Sequence, residues 1–155
     1  MEIRRAGSED IEGIKRLLVQ VNNVHADGRP DLFKHDKRKY TDQELKALLA
    51  DDTRPVFAAV DGTSLLGYAF CVVTDHTPDN NLTDIKTLYI DDLCVDETAR
   101  GKHIGTSLYG HVKKWAKENG FYNITLNVWS CNKSAEAFYK TLGLVPQKTT
   151  LESIL

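Results

Sequence analysis

The chain has 155 residues, 41% apolar and 27% charged, which is the size and make-up of one globular domain and excludes a disordered chain. Its formal net charge of −2 provides no basic field for nucleic acid or anionic membrane, and no apolar run approaches the ~18 residues of a membrane span. Cys71, Cys94 and Cys131 are widely spaced and form no Cys-x-x-Cys pair, which argues against a disulfide frame or a zinc site. With no apolar leader core at residues 1–6, the expectation is a cytoplasmic protein with reduced thiols.

Residues 2–6 alternate enough to start a strand. Ser8 is a candidate N-cap, with Glu9 and Asp10 favouring the helix dipole. Ile11, Ile14, Leu17, Leu18 and Val21 then recur at helical spacing, and Asn22-Asn23 and Gly28-Arg29-Pro30 read as stops. Residues 25–40 form a polar, basic loop anchored by Leu32 and Phe33, with His25 at its start. Thr41-Asp42-Gln43-Glu44 has the spacing of a capping box and opens a second helix, with Leu45, Leu48 and Leu49 on its buried side.

β character follows. Residues 55–60 form a strand, Asp61-Gly62 a hairpin turn, residues 65–74 the next strand and residues 77–81 a loop. Residues 85–95 form a long central strand. A helix over 104–119 carries Leu108, Val112, Trp115 and Ala116 on one face and closes at Gly120. A strand over 122–128 and a helix over 132–142 follow, and residues 144–154 supply a last extended segment. The order β-α-α-β-β-β-α-β-α-β predicts a single domain over 1–155, a mixed sheet with helices on both faces.

Two segments carry the chemistry. At the end of the central strand, Leu93-Cys94-Val95-Asp96 runs into Glu97-Thr98-Ala99-Arg100-Gly101-Lys102-His103-Ile104-Gly105-Thr106, a basic, glycine-bearing turn that opens an amphipathic helix. Successive backbone N–H groups and a helix N-terminus then converge on one point, which suits a phosphate or pyrophosphate. Arg100 and Lys102 add charge there; the plainer alternative is a solvated basic turn capping an ordinary helix. A Rossmann loop and a Walker loop are both absent. The second segment, Asn132-Lys133-Ser134-Ala135-Glu136-Ala137-Phe138-Tyr139-Lys140-Thr141-Leu142-Gly143-Leu144, follows the next strand.

Together the two segments resemble the GNAT family of acetyl-CoA-dependent N-acetyltransferases. The family's Arg/Gln-x-x-Gly-x-Gly/Ala signature reads Arg100-Gly101-Lys102-His103-Ile104-Gly105, and its Asn-x-x-Ala-x-x-Phe-Tyr-x-x-x-Gly-Phe/Leu signature is matched by Asn132, Ala135, Phe138, Tyr139, Gly143 and Leu144. His103 departs, standing where the family usually has glycine. The resemblance implies an α+β fold with an α/β-type mixed sheet: a GNAT-like acyl-CoA N-acyltransferase fold whose central, mostly antiparallel sheet is split by a cofactor cleft and flanked by helices. It places the split between strands 85–95 and 122–128.

The resemblance also implies roles. Main-chain groups of Leu93, Cys94 and Val95 would hold the pantetheine and thioester carbonyl; Arg100, Gly101, Lys102, His103, Ile104, Gly105 and Thr106 would hold the pyrophosphate, with Asn132 a further cofactor contact or simply an N-cap. Cys94 as a covalent acetyl carrier is the less favoured alternative to a small strand residue. Tyr139 is the expected general acid for the leaving thiolate and a further cofactor contact, with packing of Phe138-Tyr139 on the sheet as the other reading. The stretch around Asp91 and Asp92 is similar to the acidic strand of polyamine and diamine acetyltransferases, which suggests Asp91 as base and Asp92 as substrate contact; strand alternation points the two to opposite faces. His25 is a candidate substrate contact or a plain surface histidine. The five histidines show no metal-ligand spacing, so no metal is expected. The expected activity is direct transfer of acetyl from acetyl-CoA to a small cationic primary amine, with peptide acetylation or a non-catalytic acyl-CoA sensor as alternatives. A homodimer through the alternating apolar C-terminus, Leu151 to Leu155, is a further expectation.

Overall fold

The computed structural model describes residues 1–155. In chain order its elements are β1 (Glu2–Arg5), α1 (Ile11–Gly28), α2 (Asp42–Leu49), β2 (Val56–Asp61), β3 (Ser64–Asp75), β4 (Lys86–Val95), α3 (Ile104–Glu118), β5 (Asn123–Leu126) and α4 (Lys133–Thr141). The strands lie in the order β1-β2-β3-β4-β5. Every neighbouring pair is antiparallel except β4 and β5, which the α3 crossover makes parallel. This is the expected mixed α+β sheet with helices on both faces. No helix is long and apolar enough to cross a membrane.

The sheet separates two apolar layers. On one face, Ile14, Leu17 and Leu18 of α1 and Leu45 and Leu48 of α2 pack on Val56, Ala58, Tyr68, Phe70 and Cys94. On the other, Leu108, Val112 and Ala116 of α3 pack on Phe57, Ala69, Cys71, Leu88 and Ile90. Alternate residues of β2 and β3 feed opposite layers, as period-2 side-chain geometry requires.

Three local expectations change. Ser8 does not cap the first helix: residues Ser8–Asp10 form a 3-10 turn entered from Gly7, whose N–H donates to Asp10 Oδ2 at 2.8 Å. The same carboxylate is held by Arg4 at 2.7 Å, so Asp10 ties the turn to β1. Asn22 and Asn23 do not stop α1, because their side chains fasten the following segment instead. Asn22 donates to the Lys34 carbonyl at 2.7 Å, and the Asp36 N–H donates to Asn23 Oδ1 at 2.8 Å. His25 therefore belongs to the last turn of α1 rather than a loop. Finally, residues 144–155 form no strand: Leu151 and Ile154 stay exposed, and Glu152 meets Arg29 at 3.0 Å, on the α1 side rather than along a strand edge. The capping box at Thr41 and Glu44 forms as expected.

Candidate active site

β4 and β5 are neighbours only from Thr87↔Asn123 to Ile90↔Leu126. Beyond that, β4 runs on to Val95 while β5 has ended, so the β5-facing edge of Asp91, Asp92, Leu93, Cys94 and Val95 has no strand partner. Unpaired strand N–H and C=O groups are ready to accept an extended ligand. On the other edge, the β3–β4 register slips between Phe70↔Asp92 and Cys71↔Ile90, leaving Asp91 as an extra, unpaired residue.

That bulge overturns the expected alternation of the two carboxylates. Ile90, Leu93 and Val95 pack in the α3 layer, while Cys94 packs in the α1 layer. Asp91 and Asp92 between them both turn to the α1 side. Asp92 accepts from the Tyr68 hydroxyl at 2.7 Å, and Asp91 accepts from the Tyr40 hydroxyl at 2.9 Å and from Lys39 Nζ at 2.7 Å. Tyr68 and Tyr40 both pack on Phe70. Burial pushes the Asp92 carboxyl up to about 6, although the Tyr68 hydrogen bond and the Lys39 charge pull it down. The two neighbours thus differ in kind: one is ion-paired, the other poised to exchange a proton near neutrality.

The turn after β4 has backbone geometry that suits an anion. Gly101 lies at φ +76°, with open space where a Cβ would project. His103 itself adopts φ +58°, the left-handed conformation that a glycine would take at no steric cost, and stands exposed as the N-cap of α3. None of the backbone N–H groups from Arg100 to Thr106 donates to another backbone carbonyl. Those free donors, with the positive end of α3, fit a pyrophosphate.

The cradle is latched to α1. Arg16 pairs with Asp96 and also donates to the Leu65 carbonyl at 3.2 Å, while the Glu97 N–H donates to Gln20 at 3.2 Å. Burial opposes the charge on Asp96, but Arg16 and Thr98 outweigh it and hold the carboxyl down to about 2. Arg16→Ala is expected to strand that carboxylate, lowering Tm by about 4 °C and weakening CoA binding about fivefold to tenfold. Thermal melts and a CoA titration check this; unaltered CoA affinity would mean that the turn keeps its shape without α1.

The second segment packs directly on the first. Asn132 is the N-cap of α4, its Oδ1 accepting from the Ala135 N–H at 3.1 Å. A Cβ on Gly105 would lie 3.1 Å from the Phe138 ring, so Gly105 leaves room for α4 to seat against α3. Tyr139 stands beside Phe138 with ring centroids 5.1 Å apart. Burial raises its phenol above the ordinary value, and the Asp92 carboxylate raises it further, with no hydrogen bond among the causes. His25 packs at a tilt on Phe33, ring centroids 5.2 Å apart, and lines a surface cavity of about 390 Å³ with Trp129, Cys131 and Asn132, next to the start of α4. Burial, and then the Lys39 charge, lower its pKa, which favours the neutral imidazole. Cys94 is buried, its Sγ 3.7 Å from the Leu17 carbonyl, and burial raises the thiol to about 12. Such a thiol does not supply a nucleophilic thiolate.

The model of the acetyltransferase (GNAT) family matches residues 11–144. The chain belongs to the GNAT family. An uncharacterized N-acetyltransferase of Methanocaldococcus jannaschii is 29% identical over 141 residues, covering 91% of this chain; this chain spans only 59% of that relative's length. A solved mutant of the BH1408 protein of Bacillus halodurans is 32% identical and superposes with a TM-score of 0.94 over 100% of this chain and 99% of that one. An aminoglycoside acetyltransferase from an uncultured soil metagenomic sample, in complex with sisomicin, shares the fold at 18% identity, with a TM-score of 0.75 over 99% of this chain and 94% of that one.

Within this GNAT chain, the sequence reading missed Lys39, Tyr40, Tyr68, Arg16 and Asp96. Tyr68 carried a signal: a hydroxyl in an otherwise apolar strand needs a buried partner. Lys39 and Tyr40 carried none, because only the fold brings their segment to β4.

Proposed function

We propose that the chain transfers the acetyl group of acetyl-CoA directly to a primary amine, and that the acceptor is a small cationic amine. The observation that carries this reading is the pair Asp91 and Asp92, turned to one face where β4 loses its β5 partner. Acetyl-CoA supplies the acetyl thioester. Backbone N–H groups from Arg100 to Thr106 bind its pyrophosphate, and the open edge of Leu93, Cys94 and Val95 orients its pantetheine arm. Asp92, ionised above about pH 6, takes the proton that an ammonium must lose before it attacks, and Asp91 contacts the cation. The expected roles of the two carboxylates exchange under this reading.

Tyr139 delivers the proton to the departing sulfur. Its raised pKa keeps the phenol protonated, and the same desolvation raises the basicity of a thiolate formed beside it, as the neighbouring Cys94 thiol illustrates. With Cys94 held as a thiol, transfer needs no acetyl-cysteine. The test is free-thiol release from acetyl-CoA against monoamines, diamines, polyamines, aminoglycosides and N-terminal peptides. Saturable turnover with small cationic amines supports the reading, and turnover confined to peptides overturns the acceptor class. CoA binding without turnover on any acceptor would instead fit a sensor.

A further inference from the structure

Lys39 closes the segment between α1 and α2, and its side chain crosses to the sheet. Its Nζ lies 2.7 Å from Asp91 Oδ2 and 5.4 Å from the centroid of the Tyr40 ring. The Tyr40 hydroxyl donates to the same carboxylate oxygen at 2.9 Å. Tyr40 is itself stacked on Phe70 at 5.6 Å, so the ring is fixed. A primary ammonium is thus already seated between a carboxylate and an aromatic face, the pair of groups that recognises alkylammonium ions.

The two partners are not equally committed. The Asp91 side chain is 16% exposed and sits on a strand bulge, whereas the Lys39 side chain is 51% exposed on a flexible four-carbon stem. The segment has anchors that do not involve Lys39: the Asp36 N–H donates to Asn23 Oδ1 at 2.8 Å, the Arg38 side chain pairs with the Asp42 side chain at 2.6 Å, and the Tyr40 hydroxyl donates to Asp91 at 2.9 Å. The lysine stem can therefore swing out without carrying the segment with it. Burial alone would favour loss of the Lys39 proton, but Asp91 outweighs it and keeps the ammonium charged.

We propose that Asp91 and Tyr40 form an ammonium subsite of the acceptor cleft, and that Lys39 is a built-in competitor which the second, non-reacting ammonium of a diamine or polyamine displaces. This rests on the amine-acetyltransferase reading and narrows its substrate class to acceptors carrying two positive charges. Replacing one ammonium by another leaves the Asp91 charge neutralised, so the exchange costs little. A monoamine brings its only ammonium to Asp92, which takes the proton before attack, so it has no second cation for Asp91 and Lys39 stays in place. Selection between the two classes comes from this competition as well as from attraction.

The test is calorimetric binding of 1,4-diaminobutane, with n-butylamine as the monoamine probe, to the CoA-bound 155-residue chain. Lys39→Met is expected to tighten diamine binding about fivefold and to leave monoamine binding unaltered, the size of one partly exposed ion pair released from competition. Asp91→Asn is expected to abolish the gain when combined with Lys39→Met. Lys39→Gln is a second variant in case the methionine substitution impairs folding, which a thermal melt reveals. Unaltered or weaker diamine binding in both Lys39 variants would overturn the proposal, as would an equal gain for the monoamine. The binding readout is independent of turnover. A diamine gain without thiol release would keep the subsite and sink the acetyl-transfer reading, whereas diamine turnover without the gain would do the reverse.

Discussion

Asp92→Asn is expected to cut turnover by about 10²–10⁴-fold at neutral pH and, in the same protein, to raise thermal stability. The two effects share one cause. The folded chain raises the Asp92 carboxyl to about 6, above the ordinary carboxylate value near 4, so the ionised form is disfavoured in the folded state. Stability from this group is highest below about pH 4, falls as pH rises toward 6, and stays lowered above it. Asparagine removes the charge and can still accept the Tyr68 hydrogen bond. At pH 8 the gain is about 3 kcal/mol, or about 6–12 °C in Tm for a chain of this length, and by pH 4 it has almost gone. In the wild type, kcat/KM is expected to rise through about pH 6, and in the variant that limb should flatten. Melts at pH 4 and 8 with a pH–rate profile check all of this. Full activity in Asp92→Asn, with loss in Asp91→Asn instead, would return the base to Asp91.

Tyr139→Phe carries the second large effect. The phenol oxygen makes no hydrogen bond that the protein would miss, and the ring packing on Phe138 is retained. CoA affinity and Tm should therefore be unaltered, while kcat falls about 10²-fold or more because the leaving thiolate loses its proton donor. Steady-state kinetics beside a CoA titration separate the two quantities. An indifferent kcat would leave Tyr139 as a packing residue, and a parallel loss of CoA affinity would make it a binding residue.

The helices and the antiparallel hairpins were legible because their apolar periods are long and their turns chemically marked: Thr41 with Glu44, Asp61-Gly62, Gly120 and Gly143 all fall where the chain bends or caps. The cradle and α4 were legible through residues that serve packing and chemistry together. Gly105, read as a backbone contact for the cofactor, also makes room for Phe138, so its two reasons coincide. The carboxylate geometry was misread because period-2 alternation was assumed to run unbroken. The bulge does leave a trace: Leu88 and Ile90 share a phase with each other but not with Leu93 and Val95, and the polar doublet Asp91-Asp92 fills the slip. The Lys39 contact left no trace, since residues 39 and 91 meet only through the fold. The C-terminal alternation looked like a strand, yet alternation makes a strand only where an edge receives it.

The most direct measurement of the central claim is mass spectrometry of a reaction containing the protein, acetyl-CoA and 1,4-diaminobutane, with released CoA quantified alongside. The expected result is mono-N-acetylated diamine formed one-to-one with CoA, with no acetyl group retained on the chain. Free CoA with unmodified diamine, or acetyl retained on a cysteine during turnover, would contradict it.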